Sequence, residues 1–283
     1  MNIGIMFPLT LPDNDGSHLL DWARQADTGP FSSLSINDRV VYQSVDPLTM
    51  LASAAAVTSR IRLMTNVIVA PLRSASLLAK QSATVDLLSG GRLTLGLGVG
   101  IREDDFLATD ASFHTRGKYF DQQLALMTRI WSGQSLSGQV GEIGPQPIQQ
   151  GGPEILIGGI SPTAIDRLKT WGNGYIAGTS APDFVNQRYR LAEKAWQEAG
   201  RQGRPRLLAS AYYTLTPNTT EAARQAIIHY YGEIGPRIAS TLSSTREEVQ
   251  TTIQAFADIG TDELLFLPAV AGRDQLARLA DVL

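Results

Sequence analysis

The chain has 283 residues, of which 43% are hydrophobic and 18% are charged. This length and composition suit one large (β/α) barrel, whose core is large enough to fold without disulfide bonds or a structural metal. A formal net charge of −3, with no run of lysine or arginine, argues against a nucleic-acid partner and an acidic membrane partner. The absence of cysteine excludes disulfides, thiolate metal sites and cysteine nucleophiles.

Apolar segments of strand length alternate with segments of helical period along the whole chain. Strands are predicted at Asn2–Phe7, Ser32–Asn37, Ile61–Val69, Leu93–Val99, Glu154–Ile157, Gly174–Ala177, Arg206–Leu215 and Glu263–Leu267. Helices are predicted at Ser17–Ala26, Asp46–Ser59, Leu77–Leu88, Arg116–Trp131, from Ser161, at Pro182–Ala199, Glu221–Tyr231, from Thr245 and at Asp274–Leu283.

Eight strands that alternate with helices predict an α/β protein with a parallel sheet closed into a single (β/α)8 TIM barrel over residues 1–283. An open doubly wound sheet is the alternative. Two stretches without strong periodicity, 132–152 and 232–244, are expected to be loop insertions. The first has room for a small hairpin, and the second is expected over the barrel mouth, where it would shape the substrate cavity.

The fourth strand has glycine at every second position, at Gly96, Gly98 and Gly100. Side chains alternate along a strand, so these positions share one face and leave room for a flat ligand against the backbone. A crowded barrel interior, in which glycines make room for large neighbours, explains the pattern equally well. A dinucleotide fingerprint does not fit, because Glu103 stands where its third glycine would be.

An active site in such a barrel lies at the carboxyl ends of the strands. The residues predicted there include no nucleophile with a base, no paired carboxylates and no metal-ligand set. They therefore favour a planar organic cofactor that supplies the chemistry. A barrel lyase or aldolase with a lysine Schiff base is disfavoured, because the lysines all fall on predicted helices, at Lys80, Lys118, Lys169 and Lys194.

The chain resembles the bacterial-luciferase-like family of flavin- and deazaflavin-dependent oxidoreductases. Four segments carry the resemblance in this order: DPLTMLASAAAVTSRIRLMTNV (Asp46–Val67), LLAKQSATVDLLSGGRLTLGLGVGIREDDF (Leu77–Phe106), FHTRG with the following helix (Phe113–Trp131), and GGPEILIGGIS followed by WGNGYIAG (Gly151–Gly178). Together they span most of the chain. The resemblance implies FMN or coenzyme F420 as the cofactor.

The resemblance also implies which residues bind that cofactor. Asn66-Val67 matches the place where the family often has a non-proline cis peptide against the ring. The strand end, glycine pair and helix start after the fifth strand offer N–H groups to a phosphate. The full set of expected cofactor-binding residues is Asp38, Asn66, Val67, Gly98, Gly100, Gly158, Gly159, Ser161 and Gly174.

Glu103 and His114 are the candidate catalytic residues. Glu103 stands where some relatives keep an acidic active-site residue, although a solvated surface charge is the alternative, and His114 is the histidine of the FHTRG motif. Sugar-phosphate dehydrogenases of this family place a histidine after the aspartate that ends strand two, but here the pair is Asp38-Arg39. Arginine is not a base at neutral pH. It can bind an anionic substrate or cofactor tail, or pair with Asp38.

The sequence therefore predicts an oxidoreductase that uses FMN or F420 for hydride transfer or monooxygenation of a small organic substrate. A catalytically inactive flavin-binding protein is the alternative. The expected assembly is a homodimer, served by a separate flavin reductase if the cofactor is FMN. We expect no protein-bound metal, because His18, His114 and His229 are far apart and form no metal-ligand spacing. We expect a cytoplasmic location, because no signal peptide and no apolar run of ~20 residues are visible. Tyrosines expected near the mouth, at Tyr42, Tyr212 and Tyr213, hint at a hydrophobic or aromatic substrate.

Overall fold

Eight parallel strands close into a barrel in the computed structural model, which describes residues 1–8, 16–137 and 139–283. The strands are β1 (Asn2–Met6), β2 (Ser33–Ile36), β3 (Arg62–Val69), β4 (Leu93–Gly98), β5 (Glu154–Gly158), β6 (Gly174–Thr179), β7 (Arg206–Tyr213) and β8 (Glu263–Pro268). Each strand pairs with the next one in the sequence, and β8 pairs with β1. The predicted TIM barrel is confirmed, and the open doubly wound sheet is excluded.

Helices follow the strands. They are α1 (Gly16–Thr28), α2 (Pro47–Val57), α3 (Ala75–Ser89), α4 (Glu103–Ala108), α5 (Arg116–Trp131), α6 (Pro162–Asp166), α7 (Pro182–Glu198), α8 (Thr220–Tyr231), α9 (Gly235–Ala239), α10 (Arg246–Asp258) and α11 (Gln275–Ala280). Within the described ranges, no helix combines the length and the apolar content that crossing a membrane requires.

Helix ends follow the local chemistry of the sequence. Asp46 accepts a hydrogen bond from the Thr49 amide at 2.9 Å and so caps α2, whose first residue is Pro47. Thr245 and Glu248 form the predicted capping box at the start of α10. α3 ends at Gly90, whose φ of 67° suits glycine.

The first insertion has the expected bridge of a small hairpin, and the second is partly helical. Residues 132–152 contain an antiparallel bridge between Ser137 and Val140, as expected for a small hairpin. The stretch 232–244 contains a helical turn and α9, and its Ser243 pairs in parallel with Tyr213 at the end of β7. The second insertion therefore lies beside the carboxyl end of the barrel and is partly helical rather than irregular.

The amino end of the barrel is filled by an ionic network. Glu263 is 1% exposed and accepts a hydrogen bond from Ser33 Oγ at 2.6 Å. Arg206 donates to Glu263 and, at 2.6 Å, to Glu154. Above this network lie apolar side chains that include Met64, Leu156, Leu208 and Leu265. The interior therefore opens at the carboxyl ends of the strands, which we call the mouth.

Candidate functional site

A cavity of about 170 Å³ lies at the mouth. The loops after β2, β3 and β4 form one side of it, and the last residues of α8 form the other. Its lining consists of Asn37, Asp38, Arg39, Asn66, Val67, Val69, Gly100, Ile101, Arg102, Asp105, Phe106, Tyr230 and Tyr231. Four residues of the predicted cofactor-binding set, Asp38, Asn66, Val67 and Gly100, are thus brought together here.

The peptide bond between Asn66 and Val67 is cis, as the resemblance implies. The Val67 side chain packs into the glycines of the neighbouring strands: a Cβ on Gly158 would lie 2.8 Å from Val67 Cγ1, and one on Gly98 would lie 3.0 Å from Val67 Cγ2. A Cβ on Gly96 would lie 2.1 Å from the Thr65 carbonyl oxygen. These glycines make room for β3 itself, so a ligand at the mouth meets Val67 before it meets the glycine backbone.

The Asn66 side chain points across the mouth. Its Nδ2 donates to Ser210 Oγ on β7 at 2.8 Å and lies 3.3 Å from the Met6 sulfur. This bond fixes the orientation of the carboxamide. Ser210 was not a sequence candidate, because nothing local in β7 distinguishes it from other small strand residues.

Asp38 holds the backbone of the mouth in place. Its carboxylate is 2% exposed, accepts from Arg73 at 2.5 and 2.9 Å, and accepts from the Val69 amide at 2.9 Å. The loop after β2 is therefore tied to the end of β3. Arg39 does not pair with Asp38, which removes one of the two roles that the sequence left open for it.

Asp105 is a site residue that the sequence analysis missed. It is 3% exposed on α4, and its Oδ1 accepts from the backbone amides of Val40 and Val41 at 3.0 and 2.7 Å. The contact spans 64 and 65 residues of chain, so no local pattern could have indicated it. Asp105 sets the path of the loop that carries Arg39.

The two predicted catalytic residues lie outside the cavity lining. Glu103 is the first residue of α4 and is exposed, as the surface-charge alternative expected. His114 is also exposed, and its ring packs edge-on against Phe113 with centroids 6.1 Å apart. A catalytic role for either residue stays a prediction.

The turn after β5 holds the predicted phosphate-binding residues. Gly159 has a φ of 131°, and Ser161 Oγ caps the short α6 by accepting from the Ala164 amide at 3.1 Å. The Tyr175 hydroxyl donates to the Gly159 carbonyl at 2.7 Å, and burial raises the pKa of Tyr175 to about 12. This turn is fixed by these bonds, and Gly158 packs against Val67, but Gly158, Gly159 and Ser161 are not themselves among the residues that line the cavity.

Gly174 lies at the opposite end of the barrel from the mouth. It begins β6 and pairs with Arg206 at the start of β7, where a Cβ would lie 2.3 Å from the Arg206 carbonyl oxygen. The structure therefore separates Gly174 from the rest of the predicted set. The β6 glycine at the mouth is Gly178, which has a φ of 73° and nothing within 4 Å of a built Cβ.

The phenols at the mouth stay protonated. Burial is the main cause that raises the pKa values of Tyr212, Tyr230 and Tyr231 above the ordinary tyrosine range. The hydroxyls of Tyr212 and Tyr231 lie 3.4 Å apart, and Tyr231 also bonds to Thr179. The mouth thus offers neutral O–H donors in an apolar setting.

Two arginines reach across the mouth to α8. Arg39 Nη1 donates to the Tyr230 carbonyl at 3.2 Å, and Arg102 donates to the same oxygen. The Arg39 guanidinium also lies over the rings of Tyr42 and Tyr230, 4.8 and 5.2 Å from their centroids. Positive charge therefore collects at this side of the cavity.

The residues present fit a planar cofactor at the mouth. Asn37, which lines the cavity, has a buried side-chain oxygen without a hydrogen-bond partner. Val67 presents an apolar surface, and the space beside Gly178 is open. Among the described residues, no three His, Asp or Glu side chains are placed to share a metal ion.

Comparison with known proteins agrees with this geometry. The model of the luciferase-like monooxygenase family matches residues 1–278. An uncharacterized protein of Mycobacterium tuberculosis is 29% identical over 197 residues, which cover 66% of this chain and 68% of the relative.

Two solved structures share the fold at low sequence identity. The monooxygenase RslO1 from Streptomyces bottropensis has a TM-score of 0.83 and 22% identity, and the match covers 100% of this chain and 97% of that one. An F420-dependent secondary alcohol dehydrogenase in complex with an F420-acetone adduct has a TM-score of 0.84 and 16% identity, with coverage of 100% and 98%.

Proposed function

This chain belongs to the luciferase-like monooxygenase family, and on that premise we propose that it is an oxidoreductase that uses FMN or coenzyme F420 to act on a small organic substrate. The observation that carries the proposal is the cavity at the mouth, which Asn37, Asn66 and Val67 line together. The solved relatives support both cofactors, since one is named as F420-dependent and a further one, a type II Baeyer-Villiger monooxygenase from Pseudomonas putida, is in complex with FMN.

The chain's own residues have three tasks in this proposal. Val67 supports one face of the ring, and Asn66, oriented by Ser210, offers a carboxamide at its edge. Phe106 and Ile101 limit the access of water. The cofactor, when bound, supplies hydride transfer in the case of F420, or oxygenation with dioxygen in the case of reduced FMN.

Tyr231 is the residue that we propose donates a hydrogen bond to the substrate. It lines the cavity, and its raised pKa keeps the hydroxyl protonated at neutral pH. A neutral phenol can stabilise negative charge on a substrate oxygen without itself ionising. Glu103 and His114 lie outside the cavity, so a catalytic role for either requires its segment to move toward the mouth when a ligand binds.

The first test is a titration of the purified protein with FMN and, separately, with F420, followed through the fluorescence of each cofactor. Saturation at micromolar concentration by one cofactor supports the proposal and decides between hydride transfer with F420 and oxygenation with FMN. Asn66→Ala is expected to weaken that binding about tenfold, the loss of one well-placed hydrogen bond or slightly more. The exposed Gln197→Ala on α7 is the control and should bind normally.

Absence of saturation by both cofactors would contradict the proposal. Binding without consumption of reductant by any substrate would instead support the alternative of an inactive flavin-binding protein. If FMN binds, the activity should also depend on a separate flavin reductase that delivers the reduced cofactor.

We also propose that the protein is a homodimer. Leu77 and Leu88 on α3 are 54% and 58% exposed and lie three helical turns apart on nearly the same face. Large exposed leucines on one face are typical of an interface. Light scattering should give twice the monomer mass of 30.6 kDa, and Leu77→Glu with Leu88→Glu should give the monomer. A wild-type mass of one chain would contradict this.

A further inference from the structure

The two arginines at the mouth have one carboxylate between them among the described residues, that of Asp104. Arg39 and Arg102 both donate to the carbonyl oxygen of Tyr230. The Nε of Arg39 is buried without a hydrogen-bond partner. Asp104 is 3.5 Å from Arg39, and its side chain is 44% exposed. Two positive charges therefore share one neutral oxygen and one half-exposed carboxylate, that of Asp104, which forms a long salt bridge with Arg39.

The other acids that line the cavity do not neutralise this charge. Both oxygens of Asp38 are bonded to Arg73, and one also accepts from the Val69 amide. Asp105 accepts from the two amides of the loop after β2. Asp38 and Asp105 therefore accept hydrogen bonds from Arg73 and from backbone amides, and neither is bonded to Arg39 or Arg102.

This arrangement favours an incoming anion. The Arg39 side chain is only 10% exposed, so its charge is largely removed from water. The half-exposed Asp104 at 3.5 Å compensates this charge only weakly, and an anion accepts a stronger hydrogen bond from a guanidinium than a carbonyl does. The flanking Tyr42 and Tyr230 rings hold the Arg39 guanidinium in place before any ligand arrives.

We propose that Arg39 and Arg102 bind the carboxylate of a small, largely apolar substrate. The guanidinium fork matches a carboxylate in two parallel hydrogen bonds, and the same cavity offers apolar contact from Ile101 and Phe106. The inference rests on the proposed function, in which this molecule is the substrate. It specifies a substrate class, an organic acid with an apolar body.

The test uses benzoate as the probe and benzamide as its neutral analogue, measured by isothermal titration calorimetry. The wild type should bind benzoate at least about tenfold more tightly than benzamide, since a charge-assisted pair is worth more than a neutral one. Arg39→Gln and Arg102→Gln should each weaken benzoate binding by about tenfold or more. Arg24→Gln, an exposed arginine on α1, should leave it unchanged.

The salt dependence of benzoate binding by the wild type tests the proposal independently of whether the variants fold. Raising NaCl from about 0.05 M to about 0.5 M should weaken benzoate binding and leave benzamide binding unchanged. Equal affinity for benzoate and benzamide, or benzoate binding that is insensitive to both substitutions, would overturn the proposal.

A phosphate on the cofactor offers the same anionic chemistry, so a second arm separates the two sources. The affinity ratio of FMN to riboflavin, or of F420 to its phosphate-free deazaflavin core, should be the same in the wild type and in Arg39→Gln. A collapse of that ratio would assign the arginines to the cofactor and overturn the substrate assignment. Benzoate binding by a protein that binds neither cofactor would refute the proposed function and leave the anion site standing.

Discussion

Replacement of Asp105 tests how the mouth is built. A single oxygen of this buried carboxylate accepts from the Val40 and Val41 amides, and the loop between them and β2 carries Arg39. Asp105→Ala removes both bonds. The side chains of Val40 and Val41 are 41% and 42% exposed, so water partly replaces the lost acceptor.

The magnitude follows from the number and kind of bonds. A hydrogen bond to a charged group contributes about 1.5–3 kcal/mol, and the partial access of water places these two at the lower end. Asp105→Ala should therefore lower the free energy of unfolding by about 3 kcal/mol. Asp105→Asn, which keeps a neutral oxygen acceptor, should lower it by about 1 kcal/mol.

Urea unfolding followed by circular dichroism measures this loss. Asp104→Ala is the matched control, because it stands in the same first turn of α4 and shares the favourable interaction with the helix dipole. Its half-exposed side chain should contribute less than about 1 kcal/mol. Because Asp105 sets the position of Arg39, Asp105→Ala should also weaken benzoate binding. Equal unfolding midpoints for the two alanine variants would refute the reasoning.

Two further outcomes are expected. Gly96→Ala should lower the free energy of unfolding by about 3 kcal/mol, because its Cβ would lie 2.1 Å from the Thr65 carbonyl oxygen. Gly178→Ala meets no atom and should lower it by about 1–2 kcal/mol, because of the positive φ at this position. Similar urea midpoints for the two variants would contradict this. Tyr175 has a pKa of about 12 in the fold and 10.0 ordinarily. Its contribution to the free energy of unfolding is therefore fully present below pH 10 and falls as the pH rises from 10 to 12. Tyr175→Phe should reduce the alkaline loss of stability by about 1 kcal/mol at about pH 11, and a variant that loses as much stability as the wild type would contradict the assignment.

The strands and longer helices were predictable because their signals are local. β3 and α5 are long periodic segments, and the capping box at Thr245 fixes the start of α10. α4 and α9 are five or six residues long, too short for a helical period to stand out. Their existence depends on packing against the mouth rather than on the pattern of their own residues.

The site was predictable only in part. Asn66 and Val67 were identified because a motif marks them, and they do line the cavity. Asp105 and Ser210 act through bonds to residues far away in the sequence, which no local pattern encodes. Gly174 was included because the resemblance implies that the turn at Asn173-Gly174-Tyr175 holds the cofactor phosphate, but that turn precedes β6 and so lies at the amino end.

The role of Arg39 illustrates how a three-dimensional arrangement resolves an open alternative. The sequence allowed it to pair with its neighbour Asp38 or to bind an anion. In the structure Asp38 pairs with Arg73, which follows β3, and Arg39 instead contacts the Tyr230 carbonyl, two tyrosine rings and Asp104. The partner of Asp38 is thus an arginine 35 positions away rather than the adjacent one, and anion binding by Arg39 stays a proposal.

The ionic network at the amino end of the barrel makes the interior a well with one opening. Glu263, Arg206 and Glu154 close the floor, so a molecule that reaches the interior has to return by the route it entered. The two faces of the barrel thus have different tasks: the amino-end face is closed by charge pairs, and the carboxyl-end face is the one through which a ligand is exchanged with solvent.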